Sequence, residues 1–160
     1  ISISISAAVN SGFYKYRQGR INQELTDLKK VISQRYVAAE NYKDVRMSTL
    51  IDEKIMPYDT SDGTHSFSGN VKIGSGDANG TTFFIEFDSL PQDICVELGV
   101  RIWIVNDGSD LDAMKINNKT WAWEYSNSVD NASFKLPAKA ADVASACTSK
   151  RDNKIIWYFN

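Results

Sequence analysis

The chain offers little from which to build a catalytic centre. His65 is the single histidine, so any Ser-His-Asp or Cys-His arrangement would have to use it. It lies in a Thr- and Ser-rich approach to a predicted strand, and no nucleophile-elbow motif accompanies it. We therefore predict no catalytic role for His65 and no enzymatic activity for the chain.

Two acidic loops, residues 76–80 and 107–112, could supply oxygen ligands to a calcium ion. Neither has the spacing or the terminal glutamate of an EF-hand loop, and ordinary polar turns explain both. The Gly-Ser-Gly stretch at residues 74–76 lacks the strand-to-helix context of a dinucleotide-binding loop. The sequence therefore predicts no metal ion and no cofactor.

The two cysteines, Cys95 and Cys147, are separated by 51 residues. No CxxC or Cys/His ligand spacing surrounds them, which disfavours a zinc site. The residues alone leave two interpretations open. The cysteines form one structural disulfide in an oxidising compartment, or they are two buried thiols in a reducing one.

Charge and hydropathy exclude further classes of function. The formal net charge is -2 and the pI is near 5.4, and basic residues cluster only in short pairs such as Lys29-Lys30. We therefore predict no binding to nucleic acid. No run approaches the roughly 20 apolar residues of a membrane span. A length of 160 residues with 42% hydrophobic residues predicts one domain over residues 1–160.

The first residues carry two possible interpretations. The alternating ISISIS of residues 1–6 fits a short strand, but it fits a vector-derived sequence equally well. The chain starts at Ile1 without a methionine and lacks the basic-then-apolar order of a signal peptide. We expect a processed or truncated product, from which any anchoring segment has been removed.

The strongest structural signal is an amphipathic helix predicted over residues 11–40. Four apolar residues at spacings of four, three and four share one face: Ile21, Leu25, Leu28 and Ile32. This stripe should pack the helix against the rest of the domain. At 1.5 Å per residue the helix would be about 45 Å long, longer than the small domain beneath it, so part of it should project.

The remaining residues, 41–160, predict a globular head rich in strands. The expected elements, in order, are a short helix near residues 47–55 capped by Asp44, a hairpin over 66–87, a helix capped by Ser89 and Gln92, strands at 100–105 and 120–125, a helix at 138–148 and a strand at 154–159. The last strand is continuously apolar, which favours a central position. The order predicts an α+β fold, with the long helix packed on an antiparallel sheet that includes the C-terminal strand.

These residues together resemble a type IVb pilin, most closely the PilS major pilins of the enterobacterial thin pilus. The resemblance rests on the long N-terminal helix, the Asn41-Tyr42 step after it, the segment TTFFIEFDSLPQDICVELG and a second cysteine shortly before the last strand. It covers the chain from about residue 13. The family's apolar N-terminal half-helix does not appear in the sequence, so the chain resembles a soluble, truncated subunit.

The resemblance implies an assembly protein whose partners are other copies of itself. It implies a disulfide between Cys95 and Cys147, with residues 95–147 displayed on the fibre surface toward a host-cell receptor. It also implies anchoring in the inner membrane before assembly, and a final extracellular location in the pilus. The helix face away from the sheet would then offer charged contacts between subunits, and the candidates are Arg17, Arg20, Glu24, Lys29 and Arg35. For any single one of them, a merely solvated face is the favoured interpretation.

Residues 95–147 also contain the candidate receptor surface. It combines acidic loop residues with two tryptophans: Asp107, Asp110, Asp112, Trp121 and Trp123. Exposed aromatic side chains can anchor partners. However, Trp121 and Trp123 share one face of a predicted strand, and packing in the core is the favoured interpretation.

Two hypotheses about function remain. The first is a structural pilus subunit that polymerises through its N-terminal helix and presents an adhesive surface to host cells. The second is a monomeric secreted, lectin-like binding module that uses the tryptophans and the loop at residues 107–112. The sequence upstream of Ile1 would discriminate them, because an apolar helical extension favours the first and a cleavable signal favours the second.

Overall fold

The structure, a computed structural model, describes residues 2–103 and 111–160, with side chains from residue 12 onward in those ranges. Within them it contains four helices, a short 3-10 helix (Tyr58–Thr60) and six strands in one sheet. In chain order the helices and strands are α1 (Ser2–Arg35), α2 (Met47–Asp52), β1 (Val71–Ser75), β2 (Phe83–Leu90), α3 (Gln92–Gly99), β3 (Leu111–Ile116), β4 (Lys119–Ala122), β5 (Phe134–Lys135), α4 (Ala140–Ala146) and β6 (Asn153–Phe159).

The sheet has the strand order β1-β2-β6-β3-β4-β5. Every pairing is antiparallel except the two-residue pair of β4 with β5, which is parallel. The C-terminal strand β6 lies at the centre, where Trp157 is opposite Ile85 of β2 and Met114 of β3. The predicted α+β fold with the C-terminal strand inside the sheet is therefore confirmed.

Helix α1 packs its predicted apolar stripe into the core. Ile21, Leu25, Leu28 and Ile32 are all 0% exposed, and they share one hydrophobic cluster with the inward side chains of β2 and β6. Burying each of these side chains contributes about 2 kcal/mol of transfer free energy. The helix is thus attached to the sheet along its second half.

The ends of α1 differ from the prediction. The helix begins at Ser2, so the strand interpretation of residues 1–6 is wrong. The edges of the sheet are β1 and β5, and residues 2–6 pair with neither. Adding these residues to a helix that has already formed costs little free energy, because only the first turn of a helix is costly to form. The helix ends at Arg35 and not near residue 40. Just beyond it, the Tyr36 hydroxyl donates to the Asp44 carbonyl oxygen at 2.8 Å and fixes the turn.

Helix α2 is shorter and less buried than predicted. It is preceded by Arg46, which makes no side-chain cap hydrogen bond, so Asp44 is not its cap. Leu50 is its buried residue, whereas Ile51 and Ile55 are 46% and 37% exposed. The apolar face expected for residues 47–55 is therefore reduced to Leu50 and the half-buried Met47, which also packs against the core.

The capping box predicted for α3 is absent. Strand β2 continues through Ser89, which has a left-handed φ of 52°, and Pro91 occupies the position before the helix. The Gln92 side chain donates instead to the Cys147 carbonyl oxygen at 2.8 Å. The Gln92 side chain, which was expected to cap α3, therefore connects α3 to the end of α4.

Three further predicted elements differ from those in the structure. Residues 100–103 are not in a strand, and residues 104 and 105 of the strand predicted at 100–105 lie outside the described residues. The predicted strand at 120–125 corresponds to the shorter β4, and the predicted helix at 138–148 to α4. Strands β3 and β5 were not predicted. Among the helices of the described ranges, none combines the length and apolarity needed to cross a bilayer.

Candidate functional site

Two of the predicted subunit-contact residues form ion pairs inside the subunit. The Arg35 guanidinium donates to the Glu53 carboxylate from Nε at 2.5 Å and from Nη2 at 2.7 Å, and these bonds lower the pKa of Glu53. Arg20 forms an ion pair with Asp59. These side chains keep between 32% and 39% of their surface exposed. The pairs tie α1 to residues 52–60 and remain reachable from outside.

Glu24 and Lys29 do not lie on the outward helix face where we expected them. They are only 3% and 5% exposed. Glu24 accepts hydrogen bonds from the Ser66 backbone N–H at 3.0 Å and from the Ser66 hydroxyl, while its burial raises the pKa of the carboxyl. The Lys29 ammonium lies 5.3 Å from the ring centre of Phe159 and 5.7 Å from that of Trp103. Both charges hold the helix to the head.

Arg17 is exposed and lies over aromatic rings. Its guanidinium carbon is 4.5 Å from the ring centre of Phe67 and 5.9 Å from that of Tyr14. The Tyr14 hydroxyl in turn donates to the carboxylate of Asp93 in α3 at 2.5 Å, and partial burial together with this bond raises the pKa of Tyr14. This part of the helix is therefore fixed against α3.

The disulfide between Cys95 and Cys147 is present. Cys95 lies on α3, Cys147 follows the last residue of α4, and their Cα atoms are 5.9 Å apart. Both are 0% exposed. The bond joins the two short helices beside the sheet and closes the segment of residues 95–147, as the resemblance implied.

The two tryptophans of the candidate receptor surface have opposite environments. Trp121 on β4 is 0% exposed and stacks on Phe134 with ring centres 4.9 Å apart, so it belongs to the core and not to the surface. Trp123 lies just after β4 and is 45% exposed. Its indole N–H donates to the Leu111 carbonyl oxygen at 2.8 Å, which fixes the ring.

Asp112 is an organising residue and not a surface contact, contrary to our expectation. It is 4% exposed, and its carboxylate accepts hydrogen bonds from the Ser126 hydroxyl at 2.6 Å and from the Ser128 backbone N–H at 3.2 Å. The loop after β4 is therefore built around this carboxylate. Asp107 and Asp110, also predicted for the receptor surface, lie outside the described residues.

A concave surface, which we call the Trp123 cleft, opens beside that ring. Its volume is about 430 Å³, within the roughly 300–1,000 Å³ of small-ligand sites. Residues from the end of β4 to β5 line it, among them Trp123, Glu124, Asp130, Asn131, Phe134 and Lys135. Sequence reasoning missed Glu124, Asp130 and Asn131, although the polar run directly after the tryptophans was the signal for them.

The residues considered for catalysis and calcium binding have structural roles. His65 Nδ1 accepts the Phe67 N–H at 3.1 Å, so Nε2 carries the proton and donates to the Asp88 carbonyl oxygen at 2.6 Å. Burial lowers the pKa of His65. Asp77 accepts hydrogen bonds from the Thr82 N–H and hydroxyl. Across the part of the chain that the structure describes, no three His, Cys, Asp or Glu side chains are grouped to hold a metal ion.

These features define a class of protein. A long N-terminal helix packed on a sheet with the C-terminal strand at its centre is the fold of a type IV pilin. TcpA, a type IV pilin from Vibrio cholerae El Tor biotype, matches with a TM-score of 0.59 at 14% identity, covering 91% of this chain and 99% of that one. A type IVb pilin from Salmonella typhi matches with a TM-score of 0.55 at 17% identity, covering 85% and 97%.

The chain belongs to the PilS family of type IVb pilins, since the family model described as PilS N terminal matches residues 15–160. The resemblance found in the sequence is therefore confirmed. Pilins are structural proteins, so the chain is a pilus structural subunit and not an enzyme. No curated protein sequence matches it.

Proposed function

We propose that the chain polymerises with other copies of itself into a type IVb pilus and presents the region closed by Cys95 and Cys147 for adhesion to host cells. The observation that carries this proposal is the asymmetry of α1. The fully buried side chains of residues 12–35 begin only at Ile21, and residues 12–20 contact the head through Tyr14 and Arg17, which lie against Phe67. The outward surface of this segment, residues 12–20, is available to neighbouring subunits.

The exposed side chains of this segment are the proposed subunit contacts. Phe13 is 64% exposed and Tyr16 is 63% exposed, and because they are three residues apart they lie on the same side of α1, where a neighbouring subunit would cover both rings. Arg17, Arg20 and Arg35 remain candidates beside them, because each keeps exposed surface. Glu24 and Lys29 would act indirectly, by fixing the helix on the head.

The location follows from this role. We propose that the chain acts as one pilin domain, with α1 as the spine and residues 41–160 as the head. The subunit would be held at the inner membrane before assembly and would reside in the extracellular pilus afterwards. The PilS family membership supports this location.

Assembly can be tested in bacteria that produce the pilus machinery but lack their own major subunit. Supplying this subunit should restore fibres seen by negative-stain electron microscopy. The double variant Phe13→Ala, Tyr16→Ala should reduce fibre number strongly without lowering the subunit level. Tyr58→Ala is the matched control, since Tyr58 is 91% exposed on the head. Equal fibre numbers for the two variants would count against the proposed contact.

Adhesion needs a separate measurement. Piliated bacteria should adhere to cultured epithelial cells, and Fab fragments that bind the Trp123 cleft should block adhesion. Fab fragments against the exposed side of β1, around Lys72, are the control. Adhesion that neither Fab reduces, or that non-piliated bacteria match, would remove the adhesive part of the proposal while leaving the assembly part intact.

A further inference from the structure

The Trp123 cleft is a polar concave site that the pilus architecture does not explain. One side is an indole whose ring is partly open to solvent, and the other main polar side chains are two carboxylates, an amide and an ammonium: Glu124, Asp130, Asn131 and Lys135. The cleft therefore offers an apolar face next to hydrogen-bond donors and acceptors of both kinds.

We propose that the Trp123 cleft binds a neutral saccharide, with a pyranose ring stacked on the Trp123 indole. The C–H groups on one face of such a ring form an apolar patch that packs on an aromatic side chain. Its hydroxyls, each both donor and acceptor, would pair with the carboxylates, the Asn131 amide and the Lys135 ammonium. This inference rests on the proposed adhesive role of residues 95–147 and names the ligand class.

Pre-organisation of the cleft supports this assignment. The Trp123 indole is fixed by its bond to the Leu111 carbonyl oxygen at 2.8 Å, and its backbone N–H donates to the Asp112 carbonyl oxygen at 3.4 Å. Asp112 also holds the loop that includes Ser126 and Ser128. A single sugar binds weakly, so it needs a site whose side chains are already ordered before the ligand arrives.

The charges of the cleft select against anionic glycans. Lys135 Nζ lies 3.2 Å from Glu124 Oε1, so the ammonium is already paired. Asp130 adds a second carboxylate to the same lining. A sulfated or sialylated sugar would therefore meet one ion pair and one uncompensated negative charge, that of Asp130. A neutral sugar avoids this repulsion.

The test uses the 160-residue chain labelled with ¹⁵N, followed by two-dimensional NMR. The probes are the methyl β-glycosides of galactose, glucose and N-acetylglucosamine, with sialic acid as the anionic comparison. At least one neutral glycoside should shift the Trp123 indole N–H signal with saturating, millimolar affinity. Sialic acid should shift it less. No saturating shift with any neutral glycoside, or tighter binding of sialic acid, overturns the proposal.

Variants separate stacking from folding. Trp123→Ala should weaken binding about tenfold or more, equal to a loss of 1.4 kcal/mol, while Trp123→Phe keeps a stacking face and should weaken it less. Asp130→Asn and Tyr58→Ala should leave the melting temperature unchanged, and only Asp130→Asn should reduce affinity. Unchanged affinity in well-folded Trp123→Ala would place the sugar elsewhere and overturn the proposal.

The outcome is distinguishable from that of the proposed function. Bacteria that adhere through their pili, while the isolated chain binds no neutral glycoside, would refute the saccharide and keep the adhesive pilus. A chain that binds the glycoside, in bacteria that do not adhere, would refute adhesion and keep the cleft as a sugar site.

Discussion

The carboxylate of Glu24 accepts both the backbone N–H and the hydroxyl of Ser66, a residue 42 positions further along the chain. This contact joins α1 to the segment that leads into β1, beneath the surface of the subunit. It therefore couples the position of the spine helix to the head by a buried polar bond, in addition to the apolar stripe.

The first prediction concerns this carboxylate. Glu24→Ala leaves the Ser66 donors without their buried acceptor, and should lower the free energy of unfolding by about 1–3 kcal/mol. Glu24→Gln keeps an acceptor and should cost less. Urea denaturation at neutral pH measures both. An equal loss in the two variants would show that the hydrogen bonds contribute little beyond packing.

A second prediction uses the pH dependence of the same group. Burial raises the pKa of Glu24 above 4.5, so the folded state binds its proton more readily than the unfolded state. Its contribution to stability is then complete below pH 4.5 and is lost as the pH rises through the folded-state pKa. Glu24→Gln should therefore gain stability relative to the original chain as the pH rises from 4 to 7. Parallel stability curves would refute this.

The third prediction concerns the single histidine. Burial lowers the pKa of His65 below 6.5, so the unfolded state binds the proton first as the pH falls. Stability should therefore decline as the pH falls below 6.5 toward the folded-state pKa, and protonation of Nδ1 would also break its bond to the Phe67 N–H. His65→Gln should lose this decline. Thermal melts between pH 7 and 5 measure this decline in both proteins. The same slope of melting temperature against pH in the variant would contradict the prediction.

The sequence predicted the fixed side of α1 but not all of its polar contacts. The apolar spacing identified Ile21, Leu25, Leu28 and Ile32 because burial requires that period. The same geometry was sufficient to place Glu24, which is three residues after Ile21 and four before Leu28. It was overlooked because charge was taken to mean exposure, whereas the buried arc of a packed helix is broad enough to include paired charges.

Predictions from local sequence patterns were wrong at the ends of two strands, β2 and β4. Trp121 and Trp123 were assigned to one strand face, but β4 ends at Ala122 and the alternation ends with it. The capping box predicted for α3 does not form because Ser89 lies in an irregularity of β2, between the pairs Phe87–Ile155 and Leu90–Asn153, which the local sequence does not encode. Tertiary contacts determine both the end of β4 and the conformation at Ser89. The exposure of Trp123 and the cleft beside it could therefore not be predicted from residue spacing alone.

The fourth prediction concerns the disulfide. Replacing Cys95 and Cys147 by alanine should lower the free energy of unfolding by roughly 4 kcal/mol, because a link between residues 52 positions apart restricts the unfolded chain. Reducing the original chain should cause a similar fall, and reductant should not affect the double variant. Chemical denaturation with and without reductant measures the free energy of unfolding of both proteins. A reduced chain as stable as the oxidised one would contradict the prediction.

The fifth prediction compares one substitution at two positions on either side of Ala122. Trp121 is 0% exposed and stacked on Phe134, so Trp121→Ala should cost about 3–5 kcal/mol through lost burial and a cavity. Trp123 is half-exposed, so Trp123→Ala should cost about 1 kcal/mol, chiefly its bond to the Leu111 carbonyl oxygen. Urea denaturation of both variants gives the comparison. Similar losses would mean that Trp123 packs as a core residue, and the cleft would then have no open aromatic face.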